Sequence, residues 1–495
     1  MSHVSFFDFL IFSLTRMNQE VHPPRRRSLF DRVIKYIVDP RRVSHKYLLQ
    51  GLLCLFLAGP TFFDNFFNAC VTDLIARLDI THEKFSLLVS IPSITGVLCG
   101  AVAGIVAAYG STLVAVITAV FSFLGAIVMC YGIGESSYWT IMCGRIVFVM
   151  FWNLLGSVQK VIIFRQFSGP SLAWIFGLKI VAIRIGAVSG LYFAGDIMHA
   201  VGGYLPDGFW YALILSALSL VCTCAFAYLY RGSSTARQIR PYMIGRRRNN
   251  PAVSSDTSFS VLAIPRDTWI CCLVIFLYYG GMVPFETFGV DYLVTEFGFL
   301  RSESAQAMAL IPFFSFFSPL LSPCVSSVRR QILSLIVSQA LVAVSLICEI
   351  VQLQYAPYLY LSLMGIGHLV VCNAVWLALA GVSPTEQAKT NAASISSAIH
   401  ALSGFTFNWL TGRVRDMFGN YDAALLMLAL LLVIGSLVSL RLFIKGDWKH
   451  IIFSNENLSA ESSLLCNSAS PVIPFIVDDR HFDAQRLSDS KIEAI

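Results

Sequence analysis

The sequence predicts an all-α membrane protein, with twelve transmembrane helices arranged as two six-helix bundles. Three observations carry this. Of 495 residues, 56% are apolar and only 13% charged, with a mean hydropathy of +0.70, too few charges to cover a soluble globule of this size. Apolar stretches of about 20 residues, enough to cross roughly 30 Å of hydrocarbon, recur along almost the whole chain. One polar segment separates two sets of six such stretches.

In the first half the expected spans are Leu48 to Asn68, Ser86 to Ala107, Thr112 to Tyr131, Tyr138 to Phe164, Leu172 to Met198 and Phe209 to Tyr230. In the second they are Thr268 to Phe288, Ala305 to Ser326, Ile332 to Ile350, Tyr358 to Ala380, Ala388 to Leu410 and Tyr421 to Phe443. This divides the chain into an N-terminal segment (1–47), a first bundle (48–230), a basic linker (231–267), a second bundle (268–443) and a disordered tail (444–495).

The linker carries Arg231, Arg237, Arg240 and the run Arg246, Arg247, Arg248. Positively charged loops stay on the cytoplasmic side. The linker, the Arg25–Arg26–Arg27 and Arg41–Arg42 clusters and Arg329–Arg330 are therefore expected there, and an even number of crossings puts both termini there as well. Arg413 and Arg415 resist this scheme, because they fall in the expected last loop on the opposite side. On this reading the net charge of +6 reflects topology, and nothing sets the arginines on one folded face with base-stacking aromatics, so a nucleic-acid partner is not expected.

Most of the 13 cysteines lie inside apolar stretches and count as small hydrophobes. No spacing suggests a disulfide framework, a metal site, a catalytic triad or a phosphate loop, so neither an enzyme nor a cofactor is expected. The opening "HVSFFDFLIFSL" has Asp8 in its apolar core and lacks a basic start, unlike a secretory leader.

Two six-helix halves suggest parallel repeats about an axis along the membrane normal. The halves echo each other: "GPTFFDNF" (Gly59 to Phe66) and "VPFETF" (Val283 to Phe288) both set a proline, an aromatic and an acid, Asp64 and Glu286, near the outer end of a span. With "CGRIVF" (Cys143 to Phe148), "FGLKIVAIRIGA" (Phe176 to Ala187), "VSPTEQAKTNAA" (Val382 to Ala393) and "TGRVRDMFGNY" (Thr411 to Tyr421) in order, the chain resembles the major facilitator superfamily and, within it, the lysosomal dipeptide uniporter branch. The resemblance runs from about Asp39 to Leu442. It departs from the superfamily at the loop between spans two and three, "GIVAAYGST" (Gly104 to Thr112), which lacks the usual charges, and at "PCVSSVRRQ" (Pro323 to Gln331), which lacks the acid.

An ionisable residue in mid-span is a functional candidate by default. Arg184 fits best, about twelve residues or roughly 18 Å into span five. In the resembling branch an arginine in this context anchors the substrate's carboxylate, which suits the planar, permanently charged guanidinium. The alternative is a structural pairing of Arg184 with a neighbouring helix. On span four, Arg145, Asn153, Ser157 and Lys160 fall near one helical face. The resemblance implies a glutamate holding the substrate's amino group at the position of Asn153, which cannot act as an anion. Trp376 matches a cavity wall of the branch. His368, Cys372 and Asn373 share its stretch of span ten, and His368 could couple transport to pH.

Asp64, Glu286, Lys179 and Arg145 are the candidates for gating, against helix-end solvation or snorkelling as the bland reading. Glu349, at the end of span nine, is expected simply to reach water. The expected function is alternating-access transport of small carboxylate-bearing solutes, dipeptides or amino acids, out of an endolysosomal lumen. The alternatives are an organic-anion or other solute carrier, and a non-transporting receptor or scaffold favoured by the stripped loop. The resemblance also implies a glycosylated single-pass accessory subunit. The tail holds the one N-x-S/T sequon, at Asn457, and "ESSLL" (Glu461 to Leu465), which resembles an acidic dileucine signal.

Overall fold

The computed structural model describes residues 43–108, 111–166, 169–231, 265–317, 320, 328–351, 357–382 and 386–445. The N-terminal arginine clusters, nearly all of the linker, the tail with its sequon and dileucine, and parts of both departing loops lie outside the described residues. The described chain is helical throughout, with no strand among the described residues. Eight of its helices are long and apolar enough to cross a membrane, nine if a bent pair is one span. Large apolar side chains such as Ile214, Leu218, Val221 and Leu437 point outward, the surface that hydrocarbon rather than water accommodates.

Contacts group the chain into two units. The first joins Met1–Cys70 with Val102–Ser258. It contains α1 (Val43–Cys54), a 3-10 turn (Leu55–Leu57), α2 (Ala58–Ala69), the later part of α4 (His82–Ala108), α5 (Ser111–Gly134), α6 (Tyr138–Gln166), α7 (Gly169–Tyr192), α8 (Ala194–Ala200) and α9 (Leu205–Arg231). The break between α1 and α2 has an identifiable cause. Pro60 has no N–H to offer the carbonyl of Phe56, and its ring crowds that carbonyl. One residue earlier the ladder is opened by a side chain: Ser219 Oγ accepts the Gly59 N–H at 2.6 Å and donates to the Leu55 carbonyl at 2.7 Å. Gln159, fully buried, donates to the Leu53 carbonyl at 2.7 Å. Irregular backbone inside hydrocarbon persists only where protein groups satisfy it.

Close helix approaches set the rest of this unit. A Cβ on Gly186 would lie 2.2 Å from the Ala58 carbonyl oxygen, and one on Gly190 2.4 Å from that of Phe62, so α7 meets α2 through a G-x-x-x-G face. Gly125 and Gly144 do the same for α5 and α6. Span five is not one straight helix: it bends by 50° between Gly177–Tyr192 and Ala194–Ala200.

The second unit joins Val71–Ala101 with Phe259–Ile495. It holds α3 (Val71–Leu78), the start of α4, α10 (Arg266–Phe297), α11 (Arg301–Met308), α12 (Leu310–Phe314), α13 (Val328–Ile350), α14 (Pro357–Gly381), α15 (Glu386–Phe418) and α16 (Asp422–Lys445). Segment 71–101, expected by sequence order in the first bundle, groups here because Phe85 packs edge-on to Phe288 at 5.8 Å and Gly412 admits the His82 backbone, where a Cβ would meet the carbonyl oxygen at 2.5 Å. Two expectations need correction. Arg413 and Arg415 do not sit in a loop, since α15 runs on to Phe418. Glu349 does not reach water: it is 0% exposed.

Candidate functional site

In the first unit, Asp64 and Arg145 come together. Asp64 lies on α2, about one turn past the break at Pro60, and Arg145 on α6. The Arg145 Nη2 to Asp64 Oδ1 distance is 3.1 Å, and the guanidinium lies 4.1 Å from the centre of the Phe67 ring. Arg145 is only 3% exposed. Phe67 belongs to an aromatic cluster in which Phe63, Phe66, Phe148 and Phe209 meet through edge-on and tilted contacts. A charged pair in such a setting holds its geometry because separating it would strand a charge in a low dielectric. Arg145 is thus committed to Asp64 and is set apart from the other members of its expected stripe: Asn153 and Lys160 are exposed and Ser157 half-buried, its hydroxyl donating to the Asn153 carbonyl at 3.1 Å.

Arg184 is half-buried in α7 and makes contacts of its own. At 100° per residue it stands roughly opposite the Gly186–Gly190 face that meets α2. Lys179, seven residues before Gly186, shares that packed face and is 4% exposed, so it does not snorkel. A groove of about 580 Å³ runs beside α7, lined by Ile185, Ser189, Phe193, Tyr211, Leu215 and Leu218 among others. It is apolar, its walls include outward-facing side chains, and Arg184 does not line it.

In the second unit the structure brings together Glu286 and His368. His368, 3% exposed, meets the Tyr278 hydroxyl through Nδ1 at 2.8 Å and Cys372 Sγ through Nε2 at 3.1 Å, with Glu286 Oε1 3.7 Å from Nε2. Trp376 lies half-buried two turns along α14; the side chain of Asn373 lies outside what is described.

Sequence reasoning missed a third cluster. Asp291, 2% exposed, accepts hydrogen bonds from the Tyr421 hydroxyl at 2.6 Å and the Thr72 hydroxyl at 2.9 Å, and faces His82 Nε2 at 3.2 Å. The other ring nitrogen of His82, Nδ1, faces Asp416 Oδ1 at 3.0 Å. Asp416 also accepts the backbone N–H groups of His82 and Glu83, at 3.2 and 2.7 Å, capping the start of α4. Asp291 carried a usable signal, an acid in an apolar run. Asp416 and Tyr421 stood inside the "TGRVRDMFGNY" motif.

Long apolar helices with outward-facing apolar side chains, and a backbone break stitched by polar side chains, define a multi-pass integral membrane protein. The Major Facilitator Superfamily profile matches residues 52–407, and the chain belongs to that family. It is 23% identical to the lysosomal dipeptide transporter MFSD1 of Danio rerio over 417 residues, covering 80% of this chain and 88% of that one. Against the same transporter of Homo sapiens the identity is 23% over 395 residues, covering 77% and 83%. Against that of Mus musculus it is 24% over 400 residues, covering 78% and 84%. Two solved structures share the fold at 13% identity. One, from work on substrate recognition in proton dependent oligopeptide transporters, has a TM-score of 0.58 and covers 80% of this chain and 98% of that one. The other, a D-xylose-proton symporter, has a TM-score of 0.61 and covers 80% and 96%.

Proposed function

We propose that this transporter carries small carboxylate-bearing solutes, dipeptides or amino acids, across an endolysosomal membrane toward the cytoplasm by alternating access of two six-helix halves. Arg184 is the carboxylate anchor. Asn153, Ser157, Lys160, His368, Asn373 and Trp376 contribute to the same solute path, and Asp64, Arg145, Glu286 and Lys179 to its gates. Both termini are cytoplasmic, and a glycosylated single-pass subunit shields the lumenal loops. The observation that carries the reading is a permanent cation deep in an apolar helix, in a chain similar along most of its length to dipeptide transporters. A guanidinium costs roughly 2.5–3.5 kcal/mol at mid-membrane, so a mobile anion that neutralises it gives the solute a role in closing the halves.

Asn153 favours a second reading, an organic-anion carrier indifferent to an amino group. Thermal-shift titration of the purified chain separates the readings. C-terminal amidation of a dipeptide should weaken binding by roughly 1.5–3 kcal/mol, the range for hydrogen bonds to charged groups. Arg184→Gln should impose the same loss on the free dipeptide, and the two should not add, because both remove one interaction. Additive losses would move the carboxylate to another cation. Preference for organic acids over dipeptides in proteoliposome uptake would favour the second reading.

A further inference from the structure

We propose that the His82 imidazolium, clamped between Asp291 and Asp416, is an acid-held latch that keeps segment Val71–Ala101 on the C-terminal helices and releases it when the ring loses its proton. A neutral imidazole carries one N–H and can donate to one carboxylate only; the imidazolium donates through both nitrogens. Here both nitrogens face carboxylate oxygens, at 3.2 and 3.0 Å. The arrangement is therefore complete only with the ring charged. The cluster is not a metal site, since no group of three or more His, Cys, Asp or Glu among the described residues could hold a metal ion.

Of the charged groups that act on the ring, Asp291 and Asp416 favour its proton and Arg415 opposes it. From α10 comes Asp291, with Glu296 further along accepting the Tyr421 N–H at 3.3 Å. From α15 come Asp416 and Arg415. Arg415 opposes the proton, but its guanidinium is drawn over the Tyr421 ring at 5.0 Å. Tyr421 itself meets the imidazole edge-on at 6.2 Å. From α4, Glu83 is turned toward Trp409 Nε1 at 3.3 Å, and from α3, Asp73 is paired with Arg301 of α11. Burial lowers the affinity of His82 for its proton, while the hydrogen bonds and charge of Asp291 and the hydrogen bond of Asp416 raise it, and the balance lies above the ordinary value of 6.5.

The sign follows by linkage. A group whose docked-state pKa is raised contributes fully below its ordinary pKa and ceases to contribute as pH rises through the raised one. Acid thus holds segment 71–101 in place, and alkali frees it. The rest of the dock includes Phe85 against Phe288, the close approach at Gly412, the buried Val71, Leu74 and Leu88 and the Asp73–Arg301 pair, and the latch adds to these contacts. In a transporter the start of the second span must leave the C-terminal helices for the path to open on that side. His82 sits four residues before that span, and so sets the acidity at which opening is easy. This rests on the chain being a transporter and not on which solute it carries.

Hydrogen exchange of the full chain in lipid nanodiscs tests it, after correction for the intrinsic pH dependence of exchange. Between about pH 5 and about pH 9, protection of peptides spanning 71–90 should fall several-fold relative to peptides of α5. His82→Gln should abolish the fall and leave the segment poorly protected throughout. His82→Arg should keep it protected at both ends. Glu349→Gln, which alters another buried acid in this unit, should retain the fall. A wild-type segment equally protected at both pH values overturns the proposal, as does a fall that survives His82→Gln or disappears in Glu349→Gln. If His82→Gln does not fold, the wild-type profile and His82→Arg still decide. No solute is present, so this result stands apart from the carboxylate reading.

Discussion

The Ser219 hydroxyl occupies the place of a missing backbone bond to Gly59: it accepts that N–H at 2.6 Å and passes a donor on to Leu55 at 2.7 Å. Ser219→Ala would leave both backbone groups without this partner at the edge of the apolar groove. We expect a loss of about 1–2 kcal/mol in unfolding free energy, from two bonds at membrane-interior strengths. Gly59→Ala should lose more, roughly 2–3 kcal/mol, because its Cβ would lie 2.4 Å from the Ser216 carbonyl oxygen, which is backbone. Wild-type stability for both variants in denaturant titration would mean that the break is held by other contacts.

The Asp64–Arg145 pair should behave as one unit. Asp64→Asn strands a cation that is 3% exposed, a change of roughly 3 kcal/mol or more, while the double variant Asp64→Asn with Arg145→Gln should recover a good part of it. A double-mutant cycle read by thermal unfolding is expected to give a coupling above about 1 kcal/mol. Strict additivity would show that the two charges are held by separate partners.

Most spans were legible because hydrocarbon demands long apolar runs, which are local in sequence. The break in the first span was not expected, although Pro60 offered a local signal for it, and the side chains that stitch it, Gln159 and Ser219, could not be found without knowing which helices meet. The same holds for the sites. Asp64 and Arg145 were both legible as unusual charges, whereas their pairing was not, and the pairing removes Arg145 from the stripe it shares with Asn153 and Lys160. Glu349 looked like a helix end and proved buried. The His82 cluster was least legible, since Thr72, His82, Asp416 and Tyr421 each sit near a helix terminus, where a polar residue ordinarily means solvation, and Asp291, an acid in an apolar run, had no visible partner. Only their convergence gives them a role.

For His368 the geometry separates two neighbours. Tyr278 bonds it at 2.8 Å, whereas Glu286 is 3.7 Å away with a side chain 34% exposed. Tyr278→Phe should therefore lower stability by about 1 kcal/mol, a buried hydrogen bond's worth, and Glu286→Gln by less than about 0.5. A larger loss for Glu286→Gln would reveal a closed ion pair and make His368 a charged group.

Asn153 offers the sharpest test of solute choice. The resemblance sets a glutamate there to hold an ammonium, and this chain has the neutral amide. Asn153 is exposed on a membrane-crossing stretch of α6, so Asn153→Glu should move folding stability by no more than about 0.5 kcal/mol where that surface is wetted, and should cost roughly 2.5–3.5 kcal/mol where it meets lipid. If the residue lines the solute path, the new carboxylate gains a charge-assisted bond to a free amino terminus of about 1–3 kcal/mol, roughly 5- to 150-fold in affinity. N-acetylated dipeptides, which lack that charge, should gain nothing or lose slightly. We therefore expect wild type to bind free and acetylated forms within a few-fold of each other and Asn153→Glu to separate them. A preference unchanged by the substitution would take Asn153 out of the solute path and leave Arg184 to define it from α7 alone.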